Sequence, residues 1–168
     1  NCESISRTPV TVIIHNTPAP TAVNQEFCIA EGKTINDLAV NGSNVKWYNV
    51  LTGGTALNST TVLTTGTYYA TQTINGCESV NRKAIIVKIH NTSVPQGSSI
   101  QAFCETEQPQ IKDIKITGSS VKWYASSVGG VVLSPTIPLI NGTIYYATQT
   151  LNGCESMVRF PVTVIVHS

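Results

Sequence analysis

Residues 66–79 read Gly-Thr-Tyr-Tyr-Ala-Thr-Gln-Thr-Ile-Asn-Gly-Cys-Glu-Ser, and residues 142–156 read Gly-Thr-Ile-Tyr-Tyr-Ala-Thr-Gln-Thr-Leu-Asn-Gly-Cys-Glu-Ser. Three features of this stretch decide the architecture. It opens on Thr and Tyr, whose side chains suit a pleated backbone better than a helix. It turns at Asn-Gly, the pair that best tolerates positive φ at both positions of a two-residue hairpin. It also occurs twice, so the chain is built from copies of one unit.

Other matches follow in the same order on either side. Phe27-Cys28 returns as Phe103-Cys104, and Val45-Lys46-Trp47-Tyr48 returns as Val121-Lys122-Trp123-Tyr124, both 76 residues on. Gly53-Gly54 returns as Gly129-Gly130. Near the start, Cys2-Glu3-Ser4, Arg7 and His15 match Cys77-Glu78-Ser79, Arg82 and His90, and match Cys154-Glu155-Ser156, Arg159 and His167 again. This register divides the chain into three parts: 1–16, the last strand of an earlier repeat; 17–91, a first full repeat; and 92–168, a second. Asn16 to Ala22 and Asn91 to Ser99 carry Pro, Gly, Ser, Thr and Asn and read as short linkers that hold neighbouring units close. The polar start, Asn1-Cys2-Glu3-Ser4, carries no signal-peptide pattern, so the chain reads as an internal fragment.

Within a unit, short strands separated by frequent turn signals indicate an all-β sandwich. The strand opened by Cys154 sets Ser156, Val158, Phe160, Val162, Val164 and Val166 on one face, against a mixed face of Met157, Arg159, Pro161, Thr163 and Ile165. That period of two marks a half-buried strand, and Pro161 places it at an edge or bulge locally. Ig-like sandwiches bury a Trp on the strand equivalent to Val45–Tyr48. Trp47 and Trp123, with Phe27 and Phe103, are therefore the expected core. The adjacent tyrosines must face opposite ways, so either member of Tyr68-Tyr69 and of Tyr145-Tyr146 can be the exposed one; Tyr69 and Tyr146 are taken as the candidates for contact with a ligand. The expected fold is two tandem Ig-like antiparallel sandwiches preceded by a terminal strand.

Charge and spacing exclude several functions. Ten Lys+Arg against nine Asp+Glu give +1, too balanced for a nucleic-acid face. No apolar run reaches the roughly 20 residues that span a bilayer. The histidines end the same strand in successive units, and no Gly-x-Ser-x-Gly is present, so a nucleophile and base are not assembled. Glu78 with Arg82, and Glu155 with Arg159, read as exposed ion pairs worth little. Asp37 and Asp113 supply one acid per unit, too few for a calcium cage without carbonyl help. An enzyme, a cofactor and a metal site are not expected.

Five cysteines become orderly once the repeat is applied. The expected pairs are Cys28–Cys77 and Cys104–Cys154, one per unit, with Cys2 unpaired or partnered upstream. A swapped pairing of Cys2 with Cys28 stays open. Closing a loop of about 50 residues stabilises by roughly 4 kcal/mol in the chain-entropy treatment, comparable to the whole stability of a small domain. Such bonds need an oxidising compartment, and no Cys-x-x-Cys spacing supports zinc instead.

The ordered set Phe-Cys, Trp-Tyr, Gly-Gly, Tyr-Tyr-Ala-Thr-Gln-Thr, Asn-Gly-Cys-Glu-Ser and Arg resembles the Ig-like repeats of Bacteroidetes cell-surface proteins, including the giant gliding-motility adhesins of flavobacteria. The resemblance covers both full units and residues 1–16. It implies export by the type IX secretion system and arrays of copies forming long surface filaments, mostly spacers and adhesive stalks. It also implies that some copies accompany secreted polysaccharide-degrading enzymes. The expected role is a disulfide-stapled stalk at the cell surface whose partners are neighbouring repeats of the same chain. The competing role is a polysaccharide-binding accessory module.

Overall fold

The computed structural model describes residue 2 and residues 4–168; Asn1 and Glu3 of the amino-terminal segment lie outside the described residues. The first unit contains β1 (Gln25–Cys28), β2 (Lys46–Tyr48), β3 (Gly66–Thr71), β4 (Thr73–Ile74), β5 (Cys77–Glu78) and β6 (Lys83–His90). The second contains β7 (Gln96–Gly97), β8 (Ile100–Cys104), β9 (Ile116–Thr117), β10 (Lys122–Tyr124), β11 (Ile144–Thr148), β12 (Thr150–Leu151), β13 (Cys154–Glu155) and β14 (Phe160–His167). Helical structure among the described residues is limited to single 3-10 turns. The architecture is all-β, two Ig-like units in tandem.

Each unit is organised on a four-stranded sheet, β1-β6-β3-β2 in the first and β8-β14-β11-β10 in the second. The neighbours β2, β3 and β6 run antiparallel, but β1 lies parallel to β6, with Cys28 opposite His90. Likewise β8 lies parallel to β14, with Cys104 opposite His167. The facing layer is much less regular. It is held by isolated bridges at Thr21–Asn41 and Thr34–Val62 and by 3-10 turns that deliver Ile35 and Leu38 inward. The stretches expected as linkers take part in this layer, since β7 pairs with β9.

The alternation read in the last strand is present from Phe160 onward, where Val162 and Val164 are fully buried. Burying a side chain of this size contributes about 1.5–3 kcal/mol. The strand is nevertheless broken before Phe160, and Val158 is exposed. Pro161 pairs with Tyr146 on one side only, because β8 does not join β14 until Thr163. The missing amide hydrogen of proline therefore falls where no second neighbour needs it.

Two packed cores result. Trp47, Leu63, Tyr68, Ile85 and Val87 form the first with Ile35 and Leu38, and Phe27 packs against it. Trp123, Leu139, Tyr145, Val162 and Val164 form the second with Ile111 and Ile114, and Phe103 packs against it. Gly42 and Gly118 stand where a side chain has no room: an added Cβ would lie 2.8 Å from Pro20 Cβ in one unit and 2.9 Å from Pro95 Cβ in the other. The described part of segment 1–16 pairs with no strand, and Ile5, Val10, Val12, Ile13 and Ile14 are exposed there.

Candidate functional site

The recurring polar residues gather around one carboxylate per unit. Lys46 donates to Glu78 Oε2 at 2.7 Å, while Tyr48 and Thr71 donate to Oε1 at 2.9 and 2.7 Å. In the second unit Lys122, Tyr124 and Thr148 donate to Glu155 at 2.5, 2.7 and 2.6 Å. These contacts tie the β5 or β13 arm of the hairpin to the sheet. The hydrogen bond from Lys46, followed by those from Thr71 and Tyr48, lowers the Glu78 carboxyl to about 2. At Glu155 desolvation pushes upward, but the hydrogen bonds from Lys122, Thr148 and Tyr124 together outweigh it and bring the group to about 2.

Arg82 does not pair with Glu78, nor Arg159 with Glu155, contrary to the expected ion pairs. The chain leaves the strand between β5 and β6, where Ser79 Oγ donates to the Asn81 carbonyl. Arg82 is thereby aimed at the carbonyls of Val50 and Gly53, 2.7 and 2.8 Å away, with its guanidinium 3.5 Å from the Tyr48 ring centroid. Arg159 makes the same contacts with Ser126, Gly129 and Tyr124. Because backbone carbonyls receive the guanidinium, Val50 can become Ser126 without loss of the interaction. Tyr48 and Tyr124 thus have one ring face occupied by a cation.

The cysteines are arranged differently from the expected pattern. The disulfide joins Cys28 to Cys154, with Cα atoms 5.3 Å apart, and Cys2, Cys77 and Cys104 are free thiols. The expected pairs Cys28–Cys77 and Cys104–Cys154 are not formed. Parallel pairing puts Cys28 beside His90, at the far end of β6, whereas Cys77 lies just before its near end. Eight residues of strand separate the two ends by roughly 25 Å at ~3.3 Å per residue, far beyond the ~7 Å limit for bridging. Cys104 and Cys154 lie at opposite ends of β14 for the same reason.

The bond therefore crosses from one unit to the next. It forms where the chain itself crosses: β6 ends at His90, next to Cys28, and Thr92 then donates to the carbonyl of Cys154 at 2.9 Å. Gln149 Nε2 donates to the carbonyl of Ser93 at 2.9 Å and fixes the same linker. The first unit repeats the clamp, with Thr17 on the Cys77 carbonyl at 3.0 Å and Gln72 on the Pro18 carbonyl at 2.9 Å. Gln72 and Gln149 were not singled out in the sequence, although their recurrence and their burial as polar side chains mark them.

Trp47 and Trp123 are 5% and 8% exposed and face the cores. Tyr69 and Tyr146 are half-buried, opposite Tyr48 and Tyr124 on the neighbouring strand. Asp37 accepts hydrogen bonds from the Thr34 amide and hydroxyl at 2.7 and 2.8 Å, capping its own turn, and Asp113 accepts from the Gln110 amide. Among the described residues no three His, Cys, Asp or Glu side chains gather as metal ligands, and no helix is long and apolar enough to cross a membrane.

Comparison with known families matches the Ig-like domain described as CHU_C associated, at residues 17–90 and again at 93–167. The chain belongs to this Bacteroidetes-type family of Ig-like repeats. No curated protein matches it. Among solved structures, Sidekick-1 immunoglobulin domains 1–4 are similar at 17% identity and a TM-score of 0.31, over 90% of this chain and 48% of that one. A chimeric titin Z1Z2 carrying a KLER peptide from decorin is similar at 15% identity and a TM-score of 0.28, over 92% of this chain and 100% of that one. The chain thus spans about half the length of the Sidekick-1 structure.

Proposed function

We propose that this chain is a structural and adhesive segment of a long bacterial cell-surface protein, working as a covalently braced stalk in surface attachment or gliding. The Cys28–Cys154 bond carries the reading: it fastens two consecutive units to each other. A disulfide in this place suits an oxidising, extracellular setting. The polar clusters, clamps and core aromatics recur in both units, which suits scaffolding that is repeated rather than a site unique to one copy. We assign residues 1–16 to the closing strand of a preceding repeat, since Cys2-Glu3-Ser4, Arg7 and His15 match the sequence that runs from β5 to the end of β6 and from β13 to the end of β14, and the described residues among them join no sheet. No catalytic role is assigned.

The polysaccharide-binding alternative requires an exposed aromatic strip. Tyr69 and Tyr146 are half-buried, and each neighbours a tyrosine already covered by arginine. That arrangement favours the stalk. The test is immunogold labelling of intact producing cells with antibody raised against this chain. Label along surface filaments, released by mild protease shaving, is the expected result. Label confined to the interior of lysed cells overturns the proposal.

A further inference from the structure

We infer that Cys104 and Cys77 are the two halves of a serial coupling, each made to bond a further copy of this unit. Cys104 takes the hairpin cysteine of a unit placed behind it, and Cys77 takes the strand-end cysteine of a unit placed before it. The inference rests on the observed bond and the repeat and does not depend on where the protein works.

Both halves are already formed in the shape that the bonded pair adopts. Cys28 ends its strand at φ −85° and ψ 140°, and Cys104 ends the equivalent strand at φ −94° and ψ 135°. Each lies opposite the histidine that closes the parallel neighbour, and each enters a 3-10 turn. On the other side, Cys154 follows a turn with Asn152 at φ 51° and Gly153 at φ 77°, and Cys77 follows Asn75 at φ 50° and Gly76 at φ 76°. A threonine hydroxyl from the preceding linker holds the carbonyl of each hairpin cysteine. Cys104 is exposed, and the turn after it borders a cavity of about 570 Å³ lined by Glu105, Pro109, Leu139 and Val166. That cavity lies at the end of the second unit matching the end of the first unit that receives the hairpin of its neighbour.

Every link has the same chemistry. The two thiols give up two protons and two electrons to a disulfide oxidant, which leaves as its dithiol, and one S–S bond forms. Because each link reaches into the next unit, successive loops overlap, and no unit is closed upon itself.

The test extends the full chain by a second copy of residues 92–168 placed directly after Ser168, the added copy carrying Val158→Ile at this exposed position so that its hairpin-cysteine peptide differs in mass from that of Cys154. This preserves the register, since His167-Ser168 matches His90-Asn91. The protein is refolded with reduced and oxidised glutathione, alkylated without reduction and peptide-mapped by mass spectrometry. The expected map keeps Cys28–Cys154 and adds a bond from Cys104 to the cysteine of the added copy equivalent to Cys154. Alkylation then leaves Cys104 and appears on the strand-end cysteine of the added copy, while Cys2 and Cys77 remain labelled. Cys104 still alkylated, or bonded to Cys154, overturns the inference. In the Cys104→Ser form of the extended chain, the added hairpin cysteine should become alkylated while Cys28–Cys154 persists. Migration of that cysteine to another partner with equal yield also overturns the inference.

Discussion

Glu78 and Glu155 each collect three side-chain hydrogen bonds, and both titrate near 2 in the folded chain, against about 4.3 for an unrestrained glutamate. A carboxyl whose folded value is depressed binds its proton more readily when unfolded, so its stabilisation is complete above the unfolded value. It is lost as pH falls through the window from about 4.3 to about 2. Denaturant midpoints should therefore hold steady from pH 7 to 5 and decline between pH 4.5 and 2. The double variant Glu78→Gln, Glu155→Gln should be less stable at pH 7 and show a shallower acid decline, with the two proteins converging near pH 2. An unchanged acid slope in the variant would mean that these carboxylates do not set the acid limb. The same residues show how a sequence reading goes astray. Glu78 and Arg82 are four apart and opposite in charge, but between them the chain leaves the strand at Ser79–Arg82, and each side chain finds a partner on β2 or in the Gly-Gly loop.

At the scale of elements, the β12–β13 hairpin presents the cysteine that makes the junction. Gly153 turns it at φ 77°, a conformation that costs an L-residue with a Cβ roughly 1 kcal/mol or more. Gly153→Ala should lower stability by about 1–2 kcal/mol and reduce the yield of Cys28–Cys154 during oxidative refolding, read by peptide mapping. Gly76→Ala distorts the hairpin of Cys77, which is unbonded, and should leave that yield unchanged; a Cys28–Cys77 peptide that is lost in Gly76→Ala and kept in Gly153→Ala would instead show Cys28 pairing within its own unit. The hairpins themselves were legible, since Asn-Gly at 75–76 and 152–153 leaves little choice of turn. The inward face of the last strand and the burial site offered to Trp47 were legible from period and repeat. The partner of Cys28 was not. Repetition shows that Cys28 and Cys104 are equivalent, and that Cys77 and Cys154 are, but pairing within a unit and pairing across units satisfy that equivalence alike. The choice is made by β1 running parallel to β6, a contact between strands about 60 residues apart whose direction no local pattern records. The facing layer was illegible for a related reason: Thr21–Asn41 and Thr34–Val62 are single bridges, too short to leave an alternating pattern.

For the molecule as a whole, the cross-unit bond changes how load passes through the chain. With Cys28 tied to Cys154, tension applied at the two ends travels through the sulfur atoms and bypasses the 126 residues of separation between them. Unfolding can then lengthen the molecule only outside that loop, and neither sandwich can be drawn out completely while the bond stands. Single-molecule stretching should show a short extension in oxidising buffer. Under a thiol reductant the contour should gain about 440 Å, the length of the released segment at ~3.5 Å per residue. Bonds confined within each unit would hide about 99 residues in two separate loops and release only about 350 Å in two steps. A single release of the larger size identifies the junction bond, whereas two smaller ones would overturn the braced-stalk geometry. Where further units couple in the same way, overlapping loops leave two sulfur-bridged paths side by side along the array. Loss of one bond then transfers the load to its neighbour instead of opening the filament.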